Sequence, residues 1–488
     1  MASENSYKSI LKGTSMFGGV QIFQILINWA RGKCLAVLLG PEGMGISSLF
    51  NSASNTLQKF SSLGLNLAIV REIAEKSNEK ESVGAFVALS LRILLVTSLI
   101  GALICVLFAT PLSRLTFGNT DMAWQFMLLG VAVAFGVAGT GILSMLQGLH
   151  EVKRLSKASI VGGLTGLLIG VPLYYFYGTK GIVPAMIALS VTMFLFYYLS
   201  LRKSFGPSSF RFSLKEHAPV IKRMIALGII LMASDLIGTL VTYGINIFIE
   251  KFGSISDIGL YQAANSATAQ YSGMVFTAMA MDYFPRLTKA ASDNQKMHAI
   301  VNRQSEIVSL IIVPAATLLI ITAPIVIRVL FTREYEPILP LMRWMGLGIT
   351  FRALMVPMAY ITFAKGDKRI FFYLEGLFGN VLTFTLSCLG FYFFGLIGLG
   401  YALLADNALC LIVYYVVNNH IYGYTFTAES LKGMAVAILT TTLCFLFSLI
   451  ENPAWSYSLM AVVFAVSLTW SLVNLRRKLR TPDTPDAE

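Results

Sequence analysis

Charge is scarce in this 488-residue chain: Asp, Glu, Lys and Arg make up 13% of it, against about 25% in a soluble domain. With 56% hydrophobic residues and a mean hydropathy of +0.71, a soluble globular fold is excluded. Cysteine is scarce too. Cys34, Cys105, Cys388, Cys410 and Cys444 lie in apolar runs with no CxxC or Cys/His spacing. That argues against a disulfide framework or a zinc site and leaves them as small packing residues. The four histidines, His150, His217, His298 and His420, are scattered in or beside loops, again without metal spacing. No G-x-x-x-x-G-K-[ST] motif is present, so no intrinsic ATP motor is expected. The glycine-rich "MGLGIT" and "GLIGLGYALL" lie in apolar runs, where close helix packing explains them. No catalytic constellation emerges; the chain reads as a non-enzyme that needs no resident cofactor or metal. The polar start, "MASENSYKSILKG", lacks the layout of a signal peptide, so the first helix is expected to stay as an anchor.

What is abundant is apolar run after apolar run, each about 20 residues long, the length that spans a bilayer as a helix. Fourteen spans follow: 13–39, 43–70, 82–109, 122–148, 155–177, 181–201, 222–250, 257–285, 300–323, 338–364, 369–393, 396–418, 431–450 and 455–475. The fold class is all-α polytopic membrane protein. Of the 37 Lys and Arg, twenty-six fall in one set of alternate loops and the termini. Four (Arg114, Lys180, Lys251, Arg333) fall on the other side, and seven lie inside spans. The positive-inside rule then puts both termini in the cytoplasm. The net charge of +12 is thus mostly topology plus attraction to anionic lipid headgroups, and no nucleic-acid partner is expected.

A repeat is present. "GISSLFNSAS" (45–54) parallels "GLYQAANSAT" (259–268) at an offset of 214, and the basic pairs Lys153-Arg154 and Lys368-Arg369 differ by 215. Two pseudo-symmetric six-helix lobes follow, as parallel repeats about a central cavity, because six is even and both halves enter from the same side. The expected organisation is an N-lobe at 1–201, a cytoplasmic loop at 202–221, a C-lobe at 222–420, two further helices within 421–475 and a cytoplasmic tail at 476–488. A substrate path is expected between the halves near the midplane.

Polar stripes mark the first two spans of each half. The first carries Gln21, Gln24, Asn28 and Arg31, at steps of 3, 4 and 3, hence on one face. The second carries Ser48, Asn51, Asn55, Gln58-Lys59, Ser62 and Asn66. The seventh carries Asp235, Thr239, Thr242 and Asn246; the eighth carries Gln262, Asn265, Ser266, Gln270 and Asp282. Such stripes either glue membrane helices together or line a wet cavity. Arg31 lies nine residues before Gly40, about 13 Å along a helix, too deep to snorkel easily. Lys33, about 200° around the helix from Arg31, points elsewhere and reads as structural. Seven intramembrane cations stand against the carboxylates Asp235, Asp282, Glu375 and Asp406. A cationic interior selects anions, phosphates above all. An ion pair of Arg31 with Asp235 or Asp282 is the alternative, and the two are compatible if a gate trades a protein anion for a substrate anion.

With "KCLAVLLGPEGMGISSLF", "GSISDIGLYQAANSAT" followed by "MDYFPRLTKA", and "MLQGLHEVKRLSKASIVGG", the sequence resembles the polysaccharide-transport (Wzx-type) flippases of the multidrug/oligosaccharidyl-lipid/polysaccharide exporter superfamily. The likeness runs over about residues 10–420. "ARGKCLAVLLG" also resembles the first helix of the lipid II flippases. That resemblance implies that Arg31 contacts the pyrophosphate of a lipid-linked sugar. It carries Lys59 over from a basic pair in the second helix, where this chain has only Gln58-Lys59, and it leaves Arg352 as a substitute for an absent eighth-helix Arg. The last two spans resemble an extra pair that offers a groove for a polyprenyl tail.

The expected function is a flippase moving an undecaprenyl-pyrophosphate-linked oligosaccharide, an O-antigen or capsule unit, to the periplasmic leaflet by alternating access. Arg31, Lys59, Arg352, Gln24, Asn28, Asn51 and Asn55 are its expected substrate contacts. Asp235 or Asp282 would gate or couple H⁺ or Na⁺. Expected partners are the lipid-linked glycan, membrane lipids, a polysaccharide polymerase and a chain-length regulator, with nothing demanding more than a monomer. Three rivals remain. A multidrug or other cation exporter would prefer an acidic cavity. A polymerase would need a large outer loop, where these loops run to roughly fifteen residues. A membrane scaffold would not require a buried Arg on a polar face.

Overall fold

Helices in lipid must satisfy their backbone hydrogen bonds internally. The computed structural model describes residues 2–76, 80–203 and 218–480. Within them it describes all side chains except those of residues 2–22, 67, 74–76, 80–82, 85, 218–232, 234, 270–272, 274–282 and 479–480. No strand occurs among the described residues.

The helices are α1 (Ala2–Ser62), α2 (Leu65–Lys76), α3 (Lys80–Leu107), α4 (Ala109–Phe117), α5 (Ala123–Gly148), α6 (Val152–Tyr177) and α7 (Ile182–Arg202). Then come α8 (Ala218–Phe252), α9 (Ile255–Lys289), α10 (Asn294–Leu330), α11 (Ile338–Ala364), the short α12 (Lys368–Phe371), α13 (Asn380–Tyr422), α14 (Ala428–Phe447) and α15 (Pro453–Arg480). A π-helical turn, Phe372–Gly379, joins α12 to α13. Two helices are broken inside: α1 at Gly40 (φ 64°, ψ −167°) and α13 at Gly395 (φ 61°, ψ −145°). Pro41 directly after Gly40 fixes the first break, since the residue before a proline is pushed out of the helical region.

Eight stretches of the described residues are long and apolar enough to cross a membrane. Two of them, Val152–Arg202 and Lys368–Tyr422, hold two crossings each, divided at Gly178 and Gly395. The two arms of α1, with α8 and α9, complete the fourteen expected spans. The second arm of α1 is less apolar because Ser, Asn and Lys are spread along it.

Two boundaries differ from expectation. The span expected at 43–70 is cut after Ser62, where Leu63 (φ 49°) and Gly64 (φ 67°) both turn left-handed. The segment after α3, expected as a loop, forms a helix of its own, α4, closed by left-handed Gly118. From α4, Thr116 shares a short buried hydrogen bond with the hydroxyl of Tyr243 on α8.

The repeat is clearer in the backbone than in short motifs. Tyr174–Gly178, "YYFYG", and Phe391–Gly395, "FYFFG", are 217 residues apart. Both first residues are 5% exposed, and the next three in each are 59–75% exposed. Both glycines take nearly the same conformation, φ 56°, ψ −136° and φ 61°, ψ −145°, a region open to glycine and closed to residues with a Cβ. No atom crowds either glycine, so the requirement is conformational rather than steric. The exposed aromatics before each break suit a membrane–water interface.

By packing, the chain divides into Met1–Gly259 and Leu260–Glu488. The first unit therefore includes α8, which packs against α1, α2 and α4. Within this unit the repeated glycines meet. A Cβ on Gly45 would lie 1.9 Å from the Ile255 carbonyl oxygen, and one on Gly259 would lie 1.9 Å from that of Pro41. Pro41 and Ile255 are themselves 214 residues apart, so the crossing is reciprocal.

Candidate functional site

The first arm of α1 presents Gln24, Asn28 and Arg31, at i, i+4 and i+7, to α6 and α7. Opposite them α6 offers Ser159, Gly163, Gly166, Gly170 and Tyr174, and α7 adds Ala185, Leu189 and Met193. The α6 wall is flat because glycine recurs on it. A Cβ on Gly166 would press into Leu189 at 2.6 Å, and one on Gly163 would touch Ile27 at 3.4 Å. Thr192 ties the two helices by donating to the Gly162 carbonyl at 3.1 Å, and Ser159 and Tyr197 share a hydrogen bond of 3.0 Å.

These residues enclose a cavity of about 190 Å³, below the roughly 300–1,000 Å³ of most small-molecule sites. It suits a head fragment, such as a diphosphate or one sugar ring, and not an oligosaccharide. Among the described residues Arg31 has no ion-pair partner, and the residues that line the cavity with it are apolar, amide and hydroxyl, with no carboxylate. An intramembrane Arg costs at least about 2.5–3.5 kcal/mol; an anionic ligand offsets that cost with charge-assisted bonds. Lys33 is exposed and does not line this cavity.

The second arm of α1 uses its polar residues differently. Lys59 pairs with Asp235 of α8 at 2.7 Å, the side chains being 34% and 69% exposed. A pair that open is worth at most about 1 kcal/mol and is readily exchanged. Eleven residues along α8, buried Asn246 donates to Ser52 at 2.8 Å and to Ser48 at 3.4 Å. Thr239 and Thr242 donate to their own helix, to the Asp235 and Gly238 carbonyls. Asn51 turns inward along its helix, donating to the Ser47 carbonyl at 2.8 Å and to the Ser47 hydroxyl at 3.2 Å. Asn55 is exposed. Of this seam, Asn246 with Ser48 and Ser52, and Lys59 with Asp235, join α1 to α8, at about 0.6 kcal/mol per hydrogen bond; Asn51, Thr239 and Thr242 bond within their own helices.

Asp235 thus pairs with Lys59, not with Arg31, as the break at Gly40 explains: Lys59 stands on the arm beyond it, the arm whose Ser48 and Ser52 also bond α8. The side chain of Asp282 lies outside the described residues. Arg352, exposed on α11 in the second unit, is close enough to Asp406 to act on it electrostatically. Asp406 accepts from Thr383 at 2.9 Å. Glu375 sits on the π turn, where Asn380 donates to the Glu375 and Gly376 carbonyls at 3.0 Å each. So Gln24, Asn28 and Arg31 come together, Lys59 and Asp235 form a second cluster, and Arg352 lies near Asp406.

Ser159 and Tyr174 went unnoticed in the sequence because their span reads as apolar. The signal was there: Ser159, Gly163, Gly166, Gly170 and Tyr174 step by 4, 3, 4 and 4, a small-residue stripe between two polar positions on one face.

Residues 34–340 match the family described as polysaccharide biosynthesis protein. The lipid III flippases of Escherichia coli (strain K12) and Shigella flexneri are each 21% identical over 362 residues, spanning 73% of this chain and 84% of theirs. Among solved structures, a lipid II flippase in an inward-closed conformation is similar with a TM-score of 0.72 at 15% identity, covering 95% of this chain and 99% of that one. An inward-facing multidrug resistance transporter, itself described as of the MOP superfamily, is similar with a TM-score of 0.68 at 16% identity, covering 82% of this chain and 94% of that one.

Proposed function

The chain belongs to the polysaccharide biosynthesis protein family, and from that premise we propose that it flips an undecaprenyl-pyrophosphate-linked oligosaccharide across the bacterial inner membrane by alternating access. The carrying observation is Arg31, set in a cavity of head-fragment size with no protein counter-ion among the described residues. The names of the curated relatives, both lipid III flippases, support a lipid-linked cargo. The cargo is an O-antigen or capsule unit.

Arg31 binds the pyrophosphate, whose geometry suits a guanidinium fork. Gln24 and Asn28 turn their amides to the adjoining sugar, and the rest of the glycan extends beyond the cavity. Lys59 joins once the arriving phosphate displaces Asp235; Asp235, freed, is the candidate for taking H⁺ or Na⁺, with Asp282 the other candidate. Asn51, Asn55 and Arg352 remain secondary contacts. Both termini are cytoplasmic, the chain works as a monomer, and a polymerase and a chain-length regulator act on what it delivers.

A second reading, an ion-coupled exporter of small molecules, draws on Asp406 and Glu375 in the second unit and on the fold it shares with a multidrug transporter. Depletion separates the two. In the flippase reading, cells lacking the chain accumulate the lipid-linked oligosaccharide on the cytoplasmic leaflet, detected by its inaccessibility to an external glycosidase. Oligosaccharide that reaches the outside in normal amounts contradicts the flippase reading.

A further inference from the structure

Arg31 does not stand alone in its cavity. Tyr174 lines the same cavity from α6 and is 5% exposed. It lies within electrostatic reach of Arg31 and of Cys34, one turn nearer the Gly40 break. Arg31 and Tyr174 therefore share one end of the cavity. Asn28 and Gln24 lie three and seven residues back along α1, about 5 and 10 Å away along the axis. On α6, Ser159 lines the cavity fifteen residues back from Tyr174.

The Tyr174 hydroxyl differs from those of other buried tyrosines. Tyr197, Tyr243 and Tyr283, comparably buried, each bond theirs within the protein, to Ser159, Thr116 and the Pro357 carbonyl. The Tyr174 hydroxyl has no hydrogen-bond partner among the described residues. A buried hydroxyl left without a partner costs free energy. Arg31 cannot accept from it, since a guanidinium has five donors and no acceptor. The two thus offer N–H and O–H donors at the same end of a cavity whose lining holds no carboxylate. Such an end takes a ligand oxygen that only accepts, as an ionised phosphate oxygen does.

We propose that Tyr174 is a second contact of the lipid-linked diphosphate, donating its hydroxyl to an oxygen of the phosphate group that Arg31 grips. This role rests on Arg31 being the diphosphate contact. It also fixes which way the cargo lies: the diphosphate sits at the Tyr174 end, and the first sugar lies back along α1, beside Asn28 and then Gln24. The tyrosine ring is held by burial before any ligand arrives, so little freedom is lost when the bond forms.

The test is a titration of the purified full chain, read by native mass spectrometry, with undecaprenyl pyrophosphate and with undecaprenol. The wild type is expected to bind the diphosphate more tightly than the alcohol. Y174F keeps the ring and removes the donor. It is expected to bind the diphosphate about tenfold more weakly, about 1.4 kcal/mol, and the alcohol as the wild type does. The thermal midpoint of ligand-free Y174F is expected to equal or exceed that of the wild type, because an unpartnered buried hydroxyl is gone; misfolding cannot imitate that pair of results. Y175F, at the 70% exposed neighbour, is expected to match the wild type in both titrations. Y174F that binds the diphosphate as tightly as the wild type overturns the role of Tyr174 and leaves that of Arg31 standing. So does an equal loss for both lipids, which would make Tyr174 a wall of the cavity. A wild type that does not prefer the diphosphate overturns the Arg31 contact and the Tyr174 contact with it.

Discussion

Replacing Arg31 by Ala is expected to lower surface polysaccharide by about ten- to a hundredfold while the protein stays at its normal level in the membrane. The magnitude follows from losing hydrogen bonds to a charged group, about 1.5–3 kcal/mol, at about 1.4 kcal/mol per factor of ten. Arg31→Lys should fall between, because an ammonium keeps the charge but not the planar fork that grips a diphosphate. Stability should move the other way. Arg31 has no ion-pair partner among the described residues, so removing it also removes an intramembrane charge. The thermal midpoint of purified Arg31→Ala is therefore expected to equal or exceed that of the wild type. A variant that loses polysaccharide together with thermal stability would assign Arg31 a structural role instead.

The second large effect belongs to the reciprocal glycines. Gly45→Ala and Gly259→Ala each place a methyl 1.9 Å from a backbone carbonyl oxygen, of Ile255 and Pro41 respectively. A backbone oxygen cannot swing aside as a side chain can, so the helices must separate. Each change is expected to cost about 1–3 kcal/mol or more, the range for overpacking. The double variant should cost less than the two added together, because one separation relieves both contacts. Gly32→Ala is the control. Nothing lies within 4 Å of its Cβ position, and alanine is worth about 0.5–1 kcal/mol over glycine inside a helix. Thermal melting of the four purified proteins in detergent checks all of this. Equal melting of Gly45→Ala and Gly32→Ala would remove the crossing as a packing constraint.

Much of the architecture was legible because lipid imposes a simple rule. A span must be apolar and about 20 residues long, so counting apolar runs finds fourteen crossings without any knowledge of packing. Glycine and proline then mark the ends, as Gly40-Pro41 does. The left-handed Leu63 was not legible, since nothing about a leucine announces that conformation. Nor was α4, a short amphipathic segment that hydropathy alone reads as loop.

The site was legible in part, and for a physical reason. Helical phase places Gln24, Asn28 and Arg31 on one face from sequence alone, and the structure gathers them in one cavity. Phase does not say which helix that face meets. Hence the glycine wall of α6 was missed, and the polar residues of the second arm of α1 were read as cavity lining although Asn246 and Asp235 of α8 engage that arm. Polarity announces a contact, but not its partner.

Flipping by the purified chain in liposomes tests the central claim most directly. With a fluorescent undecaprenyl-pyrophosphate-linked oligosaccharide in both leaflets and a membrane-impermeant quencher outside, the account predicts a slow second phase of quenching in vesicles holding the wild type. That phase should be reduced about ten- to a hundredfold with Arg31→Ala, by the same bond-energy arithmetic. Wild-type vesicles that quench only the outer half, like protein-free ones, would contradict it.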